Sequence, residues 1–261
     1  MTGDPVADSA EAAYVAAVRR RLLDGTPPVP GEWRGYLDAA LVRGVWGRPV
    51  LTPRQRALIS VAALAALRCP GLLRAHAEAA LDLGVTAAEL CEALLQVVGY
   101  GGLGAGMAAL AATGDLLGEP GTDPAADPSG DAGDWLGRGE QILLALRPDF
   151  QGHLYDVPDG APPGWRDWLP HWQRWLLGAA FGGLYGRRLL SIDERERVTF
   201  AVIVALGHEG ELRQHVRICV SLGIPLAEIG EEIMHLAAYA GFPAAVKAIR
   251  VATETLTEDA A

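Results

Sequence analysis

Glu196, His208, Glu211 and His215 are the side chains of this sequence best suited to moving protons. His208, Glu211, His215 and Ile218 recur at three- and four-residue spacing, so they line one face of a helix; Glu196, Phe200 and Ile203 do the same on the helix before it. A carboxyl group in line with an apolar stripe can act as an acid near neutral pH, and an imidazole titrates there unaided. If the two faces pack together, all four groups reach one cavity, with His215 and Glu196 as proton donor and acceptor and His208 and Glu211 as orienting groups. Arg195, Arg197, Arg213 and Arg217 are the nearby cations; Arg195 and Arg213, with Tyr239 and His235, form the expected substrate-binding set. Blander readings compete: His215 as a core histidine bonded to backbone, and Glu196 as a solvated first-turn glutamate favoured by the helix dipole. Glu211 and His215 also have the i, i+4 spacing of metal ligands, but two residues do not make a site, and no metal is expected.

The elements that must position these groups are written twice. Residues 48–117 realign without a gap onto 187–256, pairing Arg56 with Arg195, His76 with His215, Gly84 with Gly223, Glu89 with Glu228, Glu92 with Glu231 and Tyr100 with Tyr239. Roughly a third of the aligned positions are identical, which marks a duplicated fold unit. Chemical positions diverge: Ala57 faces Glu196, Cys69 faces His208, Leu72 faces Glu211 and Gln96 faces His235. The copies therefore predict an asymmetric molecule, with the second carrying the chemistry and the first mainly frame.

Each copy reads as helical throughout. Thr52 with Gln55, Thr86 with Glu89 and Ser191 with Glu194 are capping boxes, and Gly84 and Gly223 sit where a second helix should stop. Pro225 suits the first turn of the helix that follows, and Pro243 opens the last one. Glu89, Glu92, Glu228 and Glu231 are expected as caps and solvated faces. Trp165, Trp168, Trp172 and Trp175 form one helical stripe, read as packing or an interface. With no alternating run bounded by turn signals, the fold class is all-α. The first unit, with its leader, spans residues 1–117; residues 118–134, without a large apolar side chain, are an exposed linker; residues 135–261 form the second unit.

Half of the 261 residues are apolar and the mean hydropathy is +0.17, enough for a substantial core. No apolar run spans a bilayer, and the polar, acidic stretch from Met1 to Ala10 is unlike a signal peptide, so no membrane partner and a cytoplasmic location are expected. A net charge of −10 argues against nucleic acid as a partner, because phosphates need a clustered basic surface. Three scattered cysteines supply neither a disulfide framework nor a zinc site.

The second copy, from Leu190 through Glu194-Arg-Glu-Arg197, Ala205-Leu-Gly, Glu211-Leu-Arg-Gln-His215, Gly223, Glu228 and Glu231 to His235-Leu-Ala-Ala-Tyr239-Ala-Gly-Phe-Pro243, resembles the carboxymuconolactone decarboxylase family, within the alkyl hydroperoxidase D-like superfamily. The first copy fits through Gly44-Val-Trp-Gly-Arg-Pro49, Arg56, Leu73-Arg-Ala-His76, Gly84, Glu89, Glu92 and Tyr100-Gly-Gly. The resemblance implies a helical bundle in a homo-oligomer, here a trimer of tandem chains or a dimer, acting on a small anionic substrate. The peroxidase branch uses a Glu, a Cys-x-x-Cys and a His three residues on. The first copy keeps Cys69 and His76 but has Ala57 and Leu72; the second keeps Glu196 and His215 but has His208 and Glu211, so neither can cycle a dithiol. The reading carried forward is a cofactor-independent lyase that decarboxylates a carboxylated lactone or a related β-keto or vinylogous acid. An isomerase or cyclase of specialised metabolism, using the same acid–base groups, and a non-catalytic oligomeric scaffold are the alternatives.

Overall fold

The computed structural model describes residues 15–21, 29–118, 135–148 and 161–259, all helical or turn among the described residues. The acidic start of the chain and most of the expected linker lie outside them. A helix over Gly31–Tyr36 (α1) runs directly into a π-helical stretch, Leu37–Trp46, and is followed by α2 (Pro53–Ala66), α3 (Pro70–Asp82), α4 (Ala87–Gly101) and α5 (Leu103–Thr113). The second half repeats this order, and α6 (Trp135–Leu146) stands ahead of it as helical residues 15–21 stand ahead of α1. α7 (Pro163–Leu176) runs into a π-helical stretch, Leu177–Tyr185, and then come α8 (Ile192–Leu206), α9 (Glu209–Ser221), α10 (Leu226–Ala240) and α11 (Phe242–Glu258).

The local signals work as expected. Thr52, Thr86 and Ser191 each close a capping box with the residue three positions on, fixing where α2, α4 and α8 begin. Gly84 and Gly223 take φ of +87° and +75°, the left-handed backbone that ends α3 and α9 and lets the chain reverse. Pro225 stands one position earlier than expected, as the cap before α10, whereas Pro243 lies within the first turn of α11.

Two helices are buried on nearly every side. α2 from Arg56 to Ala66 and α8 from Arg195 to Val204 have no exposed residue, because the rest of the fold is wrapped around this pair. They pack against each other, and each also receives the third helix of the other copy: α4 lies on α8, and α10 lies on α2. The copies are thus interleaved rather than side by side, and any cavity beside α2 or α8 draws on both.

Reciprocal ion pairs hold this exchange. Glu92 on α4 reaches across to Arg195 (2.6 Å) and Arg187 (2.5 Å), while Glu231 on α10 reaches back to Arg56 (3.0 Å) and Arg48 (2.9 Å). Glu92 and Glu231 are 3% and 4% exposed, so the expectation of solvated faces is wrong for both. Each neutralises an arginine that the other copy buries, a need visible only once the copies are docked. Glu89 is the cap it was read to be, and Glu228 pairs with Arg197.

The four tryptophans of α7 stack in sequence, with ring centroids 4.9, 6.2 and 5.2 Å apart. Trp165, Trp168 and Trp175 are exposed, so the stripe is not core packing within the chain. No helix among the described residues is long and apolar enough to cross a membrane.

Candidate active site

The site is built around Glu196, one turn into the buried helix α8 and fully enclosed. His215, two turns into α9, places Nδ1 2.7 Å from Glu196 Oε1. Tyr185, where the π-helical stretch ends, donates its hydroxyl to Glu196 Oε2 at 2.9 Å. Thr199, one turn further along α8, lies 2.8 Å from the same hydroxyl, and Gln96 Nε2, from α4 of the other copy, donates to Thr199 Oγ1 at 3.0 Å. A phenol carries one proton, and with that proton on Glu196 the threonine hydroxyl must donate to the tyrosine oxygen. The chain of donors Gln96, Thr199, Tyr185 therefore points toward the carboxylate, and His215 points its Nδ1–H there too. Such second-partner bonding fixes the imidazole tautomer and leaves Nε2 as the atom that can exchange a proton.

The surroundings set what each group can do. Burial, then the charge of Glu196, pushes the Tyr185 phenol well above its usual range, so it stays a neutral donor. Burial and the same carboxylate also push the Cys219 thiol, 3.8 Å from Glu196 Oε1, well above its ordinary value, which keeps it from acting as a nucleophile. Nearby, Glu232 is bonded to the buried Arg197; burial outweighs the guanidinium and pushes its carboxyl up to about 7. Tyr100 of the first copy closes the site edge-on to His215, with ring centroids 5.1 Å apart.

Of the groups expected to converge, Glu196 and His215 do. His208 and Glu211 share the helical face of His215 but are exposed at the start of α9, with His208 as the residue before its first turn. Seven residues of α-helix separate His208 from His215 by about 10 Å along the axis, so a shared face is not a shared cavity. Arg195 is held by Glu92, Arg197 by Glu232 and Glu228, Arg213 by Glu254 and Arg217 by Asp259. His235 and Tyr239 belong to the equivalent position around the first copy, since α10 docks on α2. Sequence reasoning missed Tyr185, Thr199, Gln96 and Tyr100; the first holds the position of Trp46 in the repeat, which could have flagged it.

That equivalent position has been rebuilt. Ala57 replaces the glutamate, and neither nitrogen of the buried His76 has a hydrogen-bond partner among the described residues; the ring lies edge-on between Trp46 and Tyr239. Burial alone pushes His76 down to about 3. His235 Nδ1 sits 3.1 Å from Arg56 Nη1, and a guanidinium can only donate, so His235 carries its proton on Nε2 and gives it to Ser60 Oγ at 2.8 Å. Ser60 in turn bonds Tyr239 at 2.9 Å. Among the described residues no carboxylate collects these donors, and His235 cannot serve Ser60 as a base.

Both halves of the chain match the carboxymuconolactone decarboxylase family model, over residues 34–115 and 170–254, together well over half of its length. The chain belongs to the carboxymuconolactone decarboxylase family. A 4-carboxymuconolactone decarboxylase from Acinetobacter baylyi is 37% identical over 92 residues, covering 35% of this chain and 69% of the relative. Within the family match lie all the groups around Glu196 and all those around His76, so the two sites are two versions of one family position. Helix α6 falls outside both matched regions.

α6 forms one wall of a cavity of about 500 Å³ that ends on Tyr185. Arg138, Gln141 and Ile142 of α6 face Tyr185, Arg187, Arg188 and Ile192 across it. Among the described residues no group of three or more His, Cys, Asp or Glu is placed to hold a metal ion.

Proposed function

We propose that this protein is a carboxy-lyase that removes carbon dioxide from a carboxylated lactone or a related vinylogous acid, with the Glu196–His215 couple supplying the proton. The observation that carries this reading is the 2.7 Å contact between His215 Nδ1 and a carboxylate whose second oxygen already accepts from Tyr185. The couple is an oriented proton donor inside a family one of whose members is a 4-carboxymuconolactone decarboxylase.

The chemistry balances with these groups. The bond between the substrate carbon and its carboxylate breaks, carbon dioxide leaves, and the electron pair moves into the conjugated carbonyl as a dienolate, which serves as the electron sink. His215, protonated and paired with ionised Glu196, delivers the proton from Nε2 to carbon and is reprotonated from solvent, so one proton is taken up for each carbon dioxide released. Glu196 stabilises the imidazolium before transfer, and Tyr185 holds the carboxylate oxygen that His215 does not use. A thiol route finds no support: Leu72 and Glu211 occupy the second sulfur position of the two copies, and Cys219 is held as a thiol.

The test is carbon dioxide release from 4-carboxymuconolactone and analogues that retain the conjugated carbonyl. Glu196→Gln and His215→Gln should each lower turnover by roughly 100-fold or more, in the range of general acid–base losses, while His76→Gln should stay within about threefold of the parent. Equal losses at both histidines would overturn the assignment of the chemistry to one site. A product of unchanged mass would transfer the same residues to an isomerase.

A further inference from the structure

The two copies of the fold show one surface in two forms. On the second copy, where α9 meets α11, Glu209 bonds both Lys247 (3.3 Å) and Arg250 (3.0 Å), and Arg250 also bonds Glu254 (3.0 Å). Ion pairs of this kind belong to a solvated face. On the first copy, Pro70, Ala108 and Ala111 hold the positions of Glu209, Lys247 and Arg250, and Leu72 holds that of Glu211. The surface that is charged in one copy is bare of charge in the other.

What remains on the first copy is apolar and open to solvent. α5 has no charged side chain, and its one hydroxyl, on Thr113, is buried and donates to Ala109 O at 2.9 Å. Leu103, Met107 and Leu110 stand out from it, and α3, packed beside it, adds Leu72. Phe242, Val246 and Ile249 hold the same three positions on α11, and all six are between 46% and 69% exposed. The residue type differs at each position while the large apolar character is kept, which marks a demand of the unit rather than scatter of single exposed side chains. Only on α5 are the flanking positions, Gly104, Ala108 and Ala111, free of both charge and bulk; α11 has Pro243, Lys247 and Arg250 there.

Whatever covers such a face must be apolar, uncharged and shaped to a helix, and α5 itself meets that description. Leu103 and Met107 form an i, i+4 ridge, with Gly104 and Ala108 as the shallow row beside it, so the ridge of one α5 fits the groove of another. The face meets itself without like charges, whereas two α11 faces would set Lys247 and Arg250 against their own kind. The edges agree as well. Arg68 lies at the start of α5, where a Cβ on Gly104 would come 3.5 Å from its Nη2. An antiparallel two-fold pairing centred between Met107 and Leu110 turns this cation toward the carboxyl end of the other chain's α5, where positive charge is favoured.

We propose that α5, with Leu72 beside it, is the surface through which this protein pairs with a second chain of the same sequence. The pairing is independent of the decarboxylase reading, and it gives the first unit a role that needs no chemistry at Ala57. The exposed side chains amount to on the order of 400 Å² of apolar surface per chain, below the roughly 800 Å² per partner of a standard interface, so the dimer forms with rising concentration rather than permanently.

The experiment is sedimentation velocity of the full chain from low micromolar concentrations upward. The average mass should climb from 27.5 kDa toward twice that value. Met107→Glu, which puts a carboxylate in the middle of the face, should weaken association roughly tenfold or more. Pro70→Glu combined with Ala108→Lys and Ala111→Arg writes the second copy's ion pairs onto the first and should do the same. That variant keeps the test open should a lone charge unsettle α5, because the second copy carries those residues in the same fold. Val246→Glu, at the counterpart of Met107, should leave the dimer within about twofold of the parent. A parent that stays at 27.5 kDa, an assembly of three chains, a dimer that persists in both α5 variants, or one that Val246→Glu dissociates as readily, would each overturn the pairing.

Discussion

Replacing His76 with leucine removes a buried imidazole that makes no hydrogen bond to the described residues and leaves its neighbours in place. The ring is 1% exposed, both nitrogens lack a partner, and burial alone pushes it down to about 3, against an unfolded value near 6.5. Below about pH 6.5 the unfolded chain binds a proton at His76 that the folded chain refuses until pH 3. The stability this group contributes is therefore fully present above 6.5 and lost as pH falls toward 3, at about 1.4 kcal/mol per pH unit. Between pH 7.5 and 4.5 the parent should lose about 2.5 kcal/mol that His76→Leu keeps. Other groups that titrate in this range are common to both proteins and cancel in the difference, His235 excepted, because His76 is one of the groups that lower it. At pH 7.5 the substitution costs only the two edge-on ring contacts, about 1 kcal/mol, because no partner is stranded. The assay is urea unfolding of both proteins at pH 7.5, 6.0 and 4.5. Parallel curves for parent and variant would refute the reasoning, as would a loss of several kcal/mol at pH 7.5, which would mean that the ring nitrogens hold something.

Two further outcomes follow from the same geometry. Tyr185→Phe deletes the donor to Glu196 Oε2 and the acceptor of Thr199; turnover should fall about 10- to 100-fold with little change in fold, and an unchanged pH–rate profile would count against Tyr185 acting through the carboxylate. Glu92→Ala leaves Arg195 buried without its carboxylate and should cost about 3–5 kcal/mol in chemical denaturation, with Glu231→Ala similar because Arg56 is buried to the same degree; values near zero would show these pairs to be unimportant to the docking of the copies.

The fold could be read from the sequence because its signals are local. A capping box acts within four residues, and a glycine with positive φ acts at one, so Thr52, Thr86, Ser191, Gly84 and Gly223 mark helix ends whatever surrounds them. The Glu196–His215 couple was legible for a related reason: both lie on apolar faces of consecutive helices that must bury those faces against each other. Residues that come from far away were not legible. Gln96 and Tyr100 reach the site, and Glu92 reaches Arg195, only because α4 docks on α8, and an ungapped alignment of the copies shows which positions correspond, never which ones touch. Helical periodicity misled at His208 and Glu211, since it gives direction around the axis and says nothing of distance along it.

Interleaving also explains how one duplicated site could change without the other collapsing. Each position takes its central and second helices from one copy and its third from the other, so substitutions on α2 and α10 alter the first site while those on α8 and α4 alter the second. Around Glu196 every donor points inward to a carboxylate, which suits a couple that holds and releases one proton. Around Ala57 the carboxylate is gone, and the groups have reorganised about Arg56, which fixes His235 with its proton toward Ser60. Returning a carboxylate there would not by itself restore the chemistry, because Arg56 and Glu231 belong to the ion pairs that dock the copies and cannot be released without undoing them. The divergence at Ala57 is held in place by the frame, and among the described residues only the Glu196 copy of the position keeps a histidine bonded to a carboxylate.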